Sequence, residues 1–248
     1  MLNGKIVIVT GGASPRGIGR ATARLLAAQG AAVAIIDLDE GKAQEAAAEL
    51  GDKHRGYGCD VTDPEACKTV IGRIESDFSD VFGILTFAGI SRSTPFFDVS
   101  SDEFDAVMAC NVKGTMNICQ AAMPLLVRNG EGSIVLVGSI AAQRGGGIFG
   151  ATHYSASKGA VQSLAKAMAR EFGPKNIRVN AIAPGLIETD IFEGKLTEER
   201  KTDIAATIPM RRVGQPVDVA GVCAFLMSDW SNYVTGVTLD INGGLHIH

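Results

Sequence analysis

The chain has 248 residues, 46% of them hydrophobic and 20% charged, which is enough apolar material to bury one large α/β core. Its formal net charge of −4, with no Lys/Arg cluster, gives no electrostatic reason to expect a nucleic-acid partner. Five scattered cysteines (Cys59, Cys67, Cys110, Cys119, Cys223), odd in number and without CxxC spacing, argue against disulfides and zinc.

In chain order, short apolar runs alternate with stretches of helical period. Met1 to Lys5 lead directly into the strand KIVIV, with no basic segment or long apolar stretch to act as signal peptide or membrane span, so a soluble, cytoplasmic protein is expected. RATARLLAAQG reads as a helix, AVAIID as a strand and GKAQEAAAEL as a helix. FGILTFAG, GSIVLVGS, NIRVNAIAPG and VTGVTLDING read as further strands, and Phe104 to Arg128, Tyr154 to Phe172 and Pro216 to Met227 as helices. No repeat, low-complexity segment or linker interrupts the pattern. It predicts a single doubly wound α/β domain over residues 1–248, a parallel sheet of about seven strands with helices on both faces.

The first strand-to-helix junction, Thr10 to Gly19 (TGGASPRGIG), carries the phosphate chemistry. Its glycines permit a tight turn and close backbone approach, and the helix behind it offers N-terminal N–H groups to a pyrophosphate. Asp37 ends the next strand, where a carboxylate can accept hydrogen bonds from ribose hydroxyls and repel a 2′-phosphate. NAD is therefore favoured over NADP, with Arg16 as the opposing observation, a cation able to pair with that phosphate. Further on, Tyr154 and Lys158 stand four apart on one helix, so the ammonium can lower the pKa of the phenol.

With these motifs in order, the chain resembles the short-chain dehydrogenase/reductase family nearly end to end, which implies a Rossmann-like fold. Gly11, Gly17, Ile18 and Gly19 lie in the family's glycine-rich motif, Asp60 and Val61 match its adenine-contacting pair, and Ala88 and Gly89 match the end of its central-strand motif. Asn111, Ser139, Tyr154 and Lys158 match its catalytic tetrad; Pro184, Gly185 and Thr189 match the segment that cups the nicotinamide. The resemblance implies oxidation of an alcohol in which Tyr154 takes the hydroxyl proton while hydride passes to nicotinamide, and reduction by the reverse. Ser139 is then expected to hydrogen-bond the reacting oxygen, Lys158 to hold the ribose, and Asn111 to anchor a water beside Lys158. Family members usually form homotetramers or homodimers. The small and apolar residues Ala160, Val161, Leu164, Ala165 and Met168 suit such a face, though core packing requires the same residues.

Three departures stand out. Five residues rather than three separate Gly11 from Gly17, predicting a bulge at Ala13 to Arg16. Thr86 and Phe87 replace two asparagines whose amides tie neighbouring strands, and Ser139 lies two residues further from Tyr154 than is common, with Arg144 to Gly150 absorbing the difference.

The substrate is less legible. The segment 186–212 is expected to form a lid over a small-molecule pocket, with Ile187, Phe192 and Leu196 either walling it or packing helices. Gln143, Arg144, His153 and the glycines at 145 to 147 are candidates to meet a hydroxylated or acidic substrate. The segment QRGGGIFGATHY resembles members acting on sugars, polyols or sugar acids, which makes such a secondary alcohol the leading expectation. The alternative is a 3-oxoacyl-carrier-protein reductase, resembled in RRVGQPVDVA and the final INGG, with Arg128 and Lys175 as candidates to dock an acidic carrier; such reductases commonly prefer NADPH. A catalytically idle NAD-binding scaffold is the reading from another class, opposed by the intact tetrad. His246 and His248 read as a tail, and no metal is expected in catalysis.

Overall fold

The computed structural model describes residues 1–146, 150–190 and 196–248. Its centre is a sheet of seven parallel strands in the order β3-β2-β1-β4-β5-β6-β7. The chain runs β1 (Ile6–Thr10), α1 (Ile18–Ala28), β2 (Ala32–Asp37), α2 (Glu40–Ala48), β3 (Arg55–Gly58), α3 (Pro64–Asp77), β4 (Val81–Thr86) and α4 (Ser101–Met108). It continues through α5 (Gly114–Asn129), β5 (Gly132–Val137), α6 (Ile140–Arg144), α7 (Thr152–Phe172), β6 (Ile177–Pro184), α8 (Glu198–Thr207), α9 (Pro216–Met227) and β7 (Thr238–Ile241).

Continuous runs such as IVIVT and GSIVLV make strands because both faces of this sheet are covered, so every side chain must be apolar or satisfied. One core lies beneath α3, α5 and α7, with Ile84, Ile134, Ile118, Leu126 and Val161 fully buried. The other lies beneath α1, α2 and α9, around Val9, Val33, Leu85, Leu26 and Leu226. The strand order reverses between β1 and β4, and the crevice at the carboxyl ends of these strands is where such sheets bind ligands.

Two elements differ from the pattern. The strand β3, RGYG, has no β-branched residue and pairs through Ala34 to Asp37 of β2. The stretch read as one helix from Phe104 to Arg128 starts at Ser101, capped by the Ser100 hydroxyl on the Glu103 N–H, and is broken by a π-helical turn at Ala109–Lys113. That wide turn carries Asn111. Val161, Ala165 and Met168 are buried within the chain, so core packing accounts for them. The cysteines are free thiols, all buried but Cys110. Among the described residues no helix is long and apolar enough to cross a membrane.

Candidate active site

A cleft of about 1180 Å³ opens along the carboxyl ends of the strands, larger than the roughly 300–1,000 Å³ of ordinary ligand pockets. Gly11, Gly17, Ile18, Gly19, Asp37, Asp60, Val61, Ala88, Gly89, Ser139, Tyr154, Lys158, Pro184, Gly185 and Thr189 all line it. Residues scattered over most of the chain thus meet along one groove.

At its first end the loop after β1 lies flat against the end of β4. Gly11 has φ +66°, and a Cβ there would sit 2.7 Å from the backbone of Phe87 and Ala88. At Gly19 a Cβ would strike the Gly11 carbonyl, so helix α1 can approach the loop only without a side chain. The N-cap of α1 is Gly17, with no side-chain cap and no acidic residue in the first turn. The N–H groups there are left for an anion.

The bulge expected at Ala13 to Arg16 is held between two carboxylates. Ala13 N–H donates to Asp37 Oδ2 at 2.9 Å, and Leu38 N–H to Asp37 Oδ1 at 2.9 Å. On the other side, the Ser14 hydroxyl donates to Asp190 Oδ2 at 2.9 Å, the Arg16 N–H to the same oxygen at 3.1 Å, and Arg16 Nε to Oδ1 at 2.6 Å. Burial opposes ionisation of Asp190, but the bonds from Arg16 and Ser14 outweigh it and hold the carboxyl below its usual value. Arg16, the candidate phosphate partner, does not line the cleft and spends its charge on Asp190.

Ser139 ends the loop after β5 and caps α6, accepting from the Ala141 N–H at 3.1 Å. Tyr154 and Lys158 stand one turn apart near the start of α7, with Lys158 Nζ 5.8 Å from the centre of the Tyr154 ring. The Lys158 ammonium donates to the Val137 carbonyl at 2.9 Å. Burial pushes the Tyr154 phenol up, opposed by a hydrogen bond from Ser139. The lowering expected from Lys158 is therefore not found in the protein alone: burial dominates both groups and drops Lys158 to about 8.

Asn111 is fully buried and does not line the cleft. Its Oδ1 accepts from the Ile90 N–H at 2.8 Å, while Nδ2 donates to the Ile90 carbonyl at 2.9 Å and to Ser157 Oγ at 3.0 Å. Ser157 in turn donates to the Tyr154 carbonyl at 2.7 Å, so Asn111 ties the loop after β4 to the helix of Tyr154. Where the two asparagines are missing, Thr10 Oγ1 accepts from the Ala88 N–H at 3.1 Å and links β1 to β4, while the buried Thr86 hydroxyl has no hydrogen-bond partner among the described residues.

Of the residues read as meeting substrate, Arg144, Gly146 and Ile187 line the cleft. Gln143 does not: its amide donates to Asp240 at 2.7 Å on another side of α6. His153 is also turned away, buried with Nε2 3.0 Å from Glu103 of α4. Each is the immediate neighbour of a cleft residue, and consecutive helical positions point about 100° apart. Leu196 does not line the cleft either, whereas Phe192 and Gly147 lie outside the described residues. Cleft residues not singled out from the sequence include Ser14, Ile90, Ser91, Cys110, Asp190 and Leu245. A serine and an aspartate 176 residues apart carry no pairing signal in sequence.

Residues 11–246 match the family model described as enoyl-(acyl carrier protein) reductase. An uncharacterised short-chain type dehydrogenase/reductase of Sinorhizobium fredii is 46% identical, covering 100% of both chains. A 3-oxoacyl-[acyl-carrier-protein] reductase of Haemophilus influenzae is 37% identical over 99% of this chain and 100% of that protein. A (3R)-3-hydroxyacyl-CoA dehydrogenase of Rattus norvegicus is 38% identical over 98% of this chain and 97% of its own.

Proposed function

The chain belongs to the short-chain dehydrogenase/reductase family, NAD(P)-dependent oxidoreductases acting on CH–OH groups, and on that premise we propose that it interconverts a 3-hydroxyacyl and a 3-oxoacyl thioester with NAD. The observation that carries the substrate class is the cleft wall. It presents Ile90, Ile140, Leu186, Ile187 and Leu245, while Gln143 and His153 face elsewhere. Such a wall suits an acyl chain better than a polyol, every hydroxyl of which would need a partner. The substrates in the names of the Haemophilus and rat relatives support the same class. A sugar or sugar acid is the second reading, favoured by Arg144 in the cleft.

A nicotinamide dinucleotide fits the uncapped α1 terminus and the side-chain-free approach at Gly11 and Gly19, and when bound it supplies the hydride acceptor. The chain's own residues then divide the work. Tyr154 removes the hydroxyl proton of the substrate, and Ser139 hydrogen-bonds the same oxygen as charge develops on it. Lys158 favours the phenolate electrostatically and holds the ribose. Asn111 is a positioning residue that fixes Ile90 and, through Ser157, the backbone of Tyr154. Ile187, Ile204 and Thr207, from the described parts of the segment 186–212, line the cleft, which supports a lid there.

The preference for NAD rests on Asp37, whose carboxylate faces the cleft, and on the neutralisation of Arg16 by Asp190. Since a hydrogen bond to a charged group contributes about 1.5–3 kcal/mol, Asp37→Ser is expected to lower kcat/KM for NAD by roughly 10- to 100-fold and to raise that for NADP. Unchanged cofactor selectivity in the variant would remove Asp37 as the determinant. The substrate class is tested by nicotinamide absorbance with 3-hydroxyacyl thioesters on coenzyme A and on carrier protein, against a panel of sugars, polyols and hydroxy acids. Higher kcat/KM for a polyol overturns the thioester reading, and no turnover with any alcohol leaves the idle scaffold.

Exposed Phe96, Phe97 and Phe104 on and before α4, with Met116 on α5, support a homodimer or homotetramer that covers them. A monomeric mass in solution refutes this assembly.

A further inference from the structure

Beyond the end of β7 the chain curls back on itself, and three side chains of metal-ligand type converge where it does. A carboxylate oxygen of Asp240 and one ring nitrogen each of His246 and His248 all lie within 4.8 Å of one another. His248 Nε2 is 3.0 Å from Asp240 Oδ2, and the two imidazole rings meet edge to face with centres 4.7 Å apart. None of the three lines the nucleotide cleft.

The surroundings organise this group. Gln143 Nε2 donates to Asp240 Oδ1 at 2.7 Å, so one carboxylate oxygen is fixed and the other is aimed at His248. Asn242 pins the backbone of the returning segment: its Oδ1 accepts from the Gly244 N–H at 2.9 Å and the His246 N–H at 3.4 Å, and its Nδ2 donates to the His246 carbonyl at 3.2 Å. Gly243 and Gly244, with φ +65° and +86°, supply the reversal. Asp240 is thus held by a side-chain neighbour and the His246 backbone by Asn242, the kind of outer support that orients metal ligands.

We propose that Asp240, His246 and His248 bind one divalent zinc ion, with Gln143 as the outer partner of the carboxylate. Two imidazoles and one carboxylate match the N,N,O donor set of zinc, whereas magnesium and calcium select oxygen alone. Zn–N and Zn–O bonds of about 2.0–2.2 Å place donor atoms roughly 3.5 Å apart, so Asp240 and His248, now 3.0 Å apart, would open slightly and the wider spacings, up to 4.8 Å, would close, by small side-chain rotations. The carboxylate offsets half of the ion's charge, and a fourth position is left for water. The other two histidines, His54 and His153, are buried, so they do not compete for the metal. The tail histidines therefore do have a clustered third ligand, brought from strand β7 by folding.

The site is tested by titrating zinc into the untagged protein against a chromophoric chelator, with metal content measured after dialysis. The wild-type chain is expected to take up one zinc ion, and the double variant His246→Ala/His248→Ala none at the same site. Asp240→Asn should weaken binding, and Gln143→Ala should weaken it by about tenfold, the lower end of what loss of an outer partner costs. Thermal melts should show zinc raising the midpoint of the wild type and not of the double variant. Absence of zinc uptake at micromolar concentrations by the wild type, or undiminished uptake by the double variant, overturns the proposal.

Discussion

Tyr154→Phe is expected to lower kcat by about 10²–10⁴-fold, the range over which a positioned general acid or base acts, while leaving NAD binding intact. The phenol hydroxyl is the only atom removed, and its hydrogen bond with Ser139 lies away from the glycine loop and Asp37 that would hold the adenosine end. Burial raises the phenol and Ser139 opposes it, so ionisation needs the positive nicotinamide and Lys158 together. Oxidation by the wild type should therefore rise with pH, and the variant's residual rate should lose that limb. Steady-state kinetics give the rates, and calorimetry gives cofactor affinity. Wild-type turnover by the variant would remove Tyr154 from the chemistry.

The second large effect runs in opposite directions for activity and stability. Lys158 is buried and its ammonium is pushed down to about 8 from an ordinary 10.5. The unfolded chain keeps the proton up to its own, higher value. Below pH 8 the folded protein therefore carries a buried charge at full cost, and that cost fades as pH rises from about 8 to 10.5. The difference corresponds to roughly 3 kcal/mol at 1.36 kcal/mol per pKa unit, an upper figure because the amine also satisfies the Val137 carbonyl. Lys158→Met should thus abolish turnover, and raise the urea midpoint at pH 7 while losing that advantage by about pH 10. A variant less stable than wild type at neutral pH would show that the bond to Val137 outweighs desolvation.

The architecture was legible where the chain repeats a period. Strands such as IVIVT and AVAIID are apolar up to their last residue because both faces are covered, and the order of apolar run, loop and helix identified the doubly wound sheet. The strand RGYG was not legible: its place is set by pairing with β2, and four residues without a β-branched side chain carry no local signal. Helix α3 did carry one, Asp63 capping the Glu65 and Ala66 N–H groups with Pro64 at the first position. At the site, residues that belong to one local motif (Gly11, Gly19, Tyr154, Lys158) were picked out by their spacing together with the resemblance to the family. Gln143 and His153 were misplaced because proximity in sequence to Arg144 and Tyr154 says nothing about which way a helical neighbour points. The contact of Ser14 and Arg16 with Asp190 joins distant parts of the chain and could only come from the fold.

The wide turn at Ala109–Lys113 sets how the helices on either side of it can vary. An extra residue accommodated there shifts everything downstream by about 100° around the axis. Upstream, Val107 points into the protein; downstream, Ile118, Cys119, Ala122 and Leu126 do, each in the phase of its own half. Deleting one residue from the turn would restore an unbroken α-helical ladder and at the same time rotate one half's apolar stripe toward water, or carry the Asn111 amide away from Ile90. A shorter helix would be more regular in its hydrogen bonds and wrong in its register. Substitutions should accordingly be tolerated on the exposed face of this helix, while single-residue insertions and deletions are not.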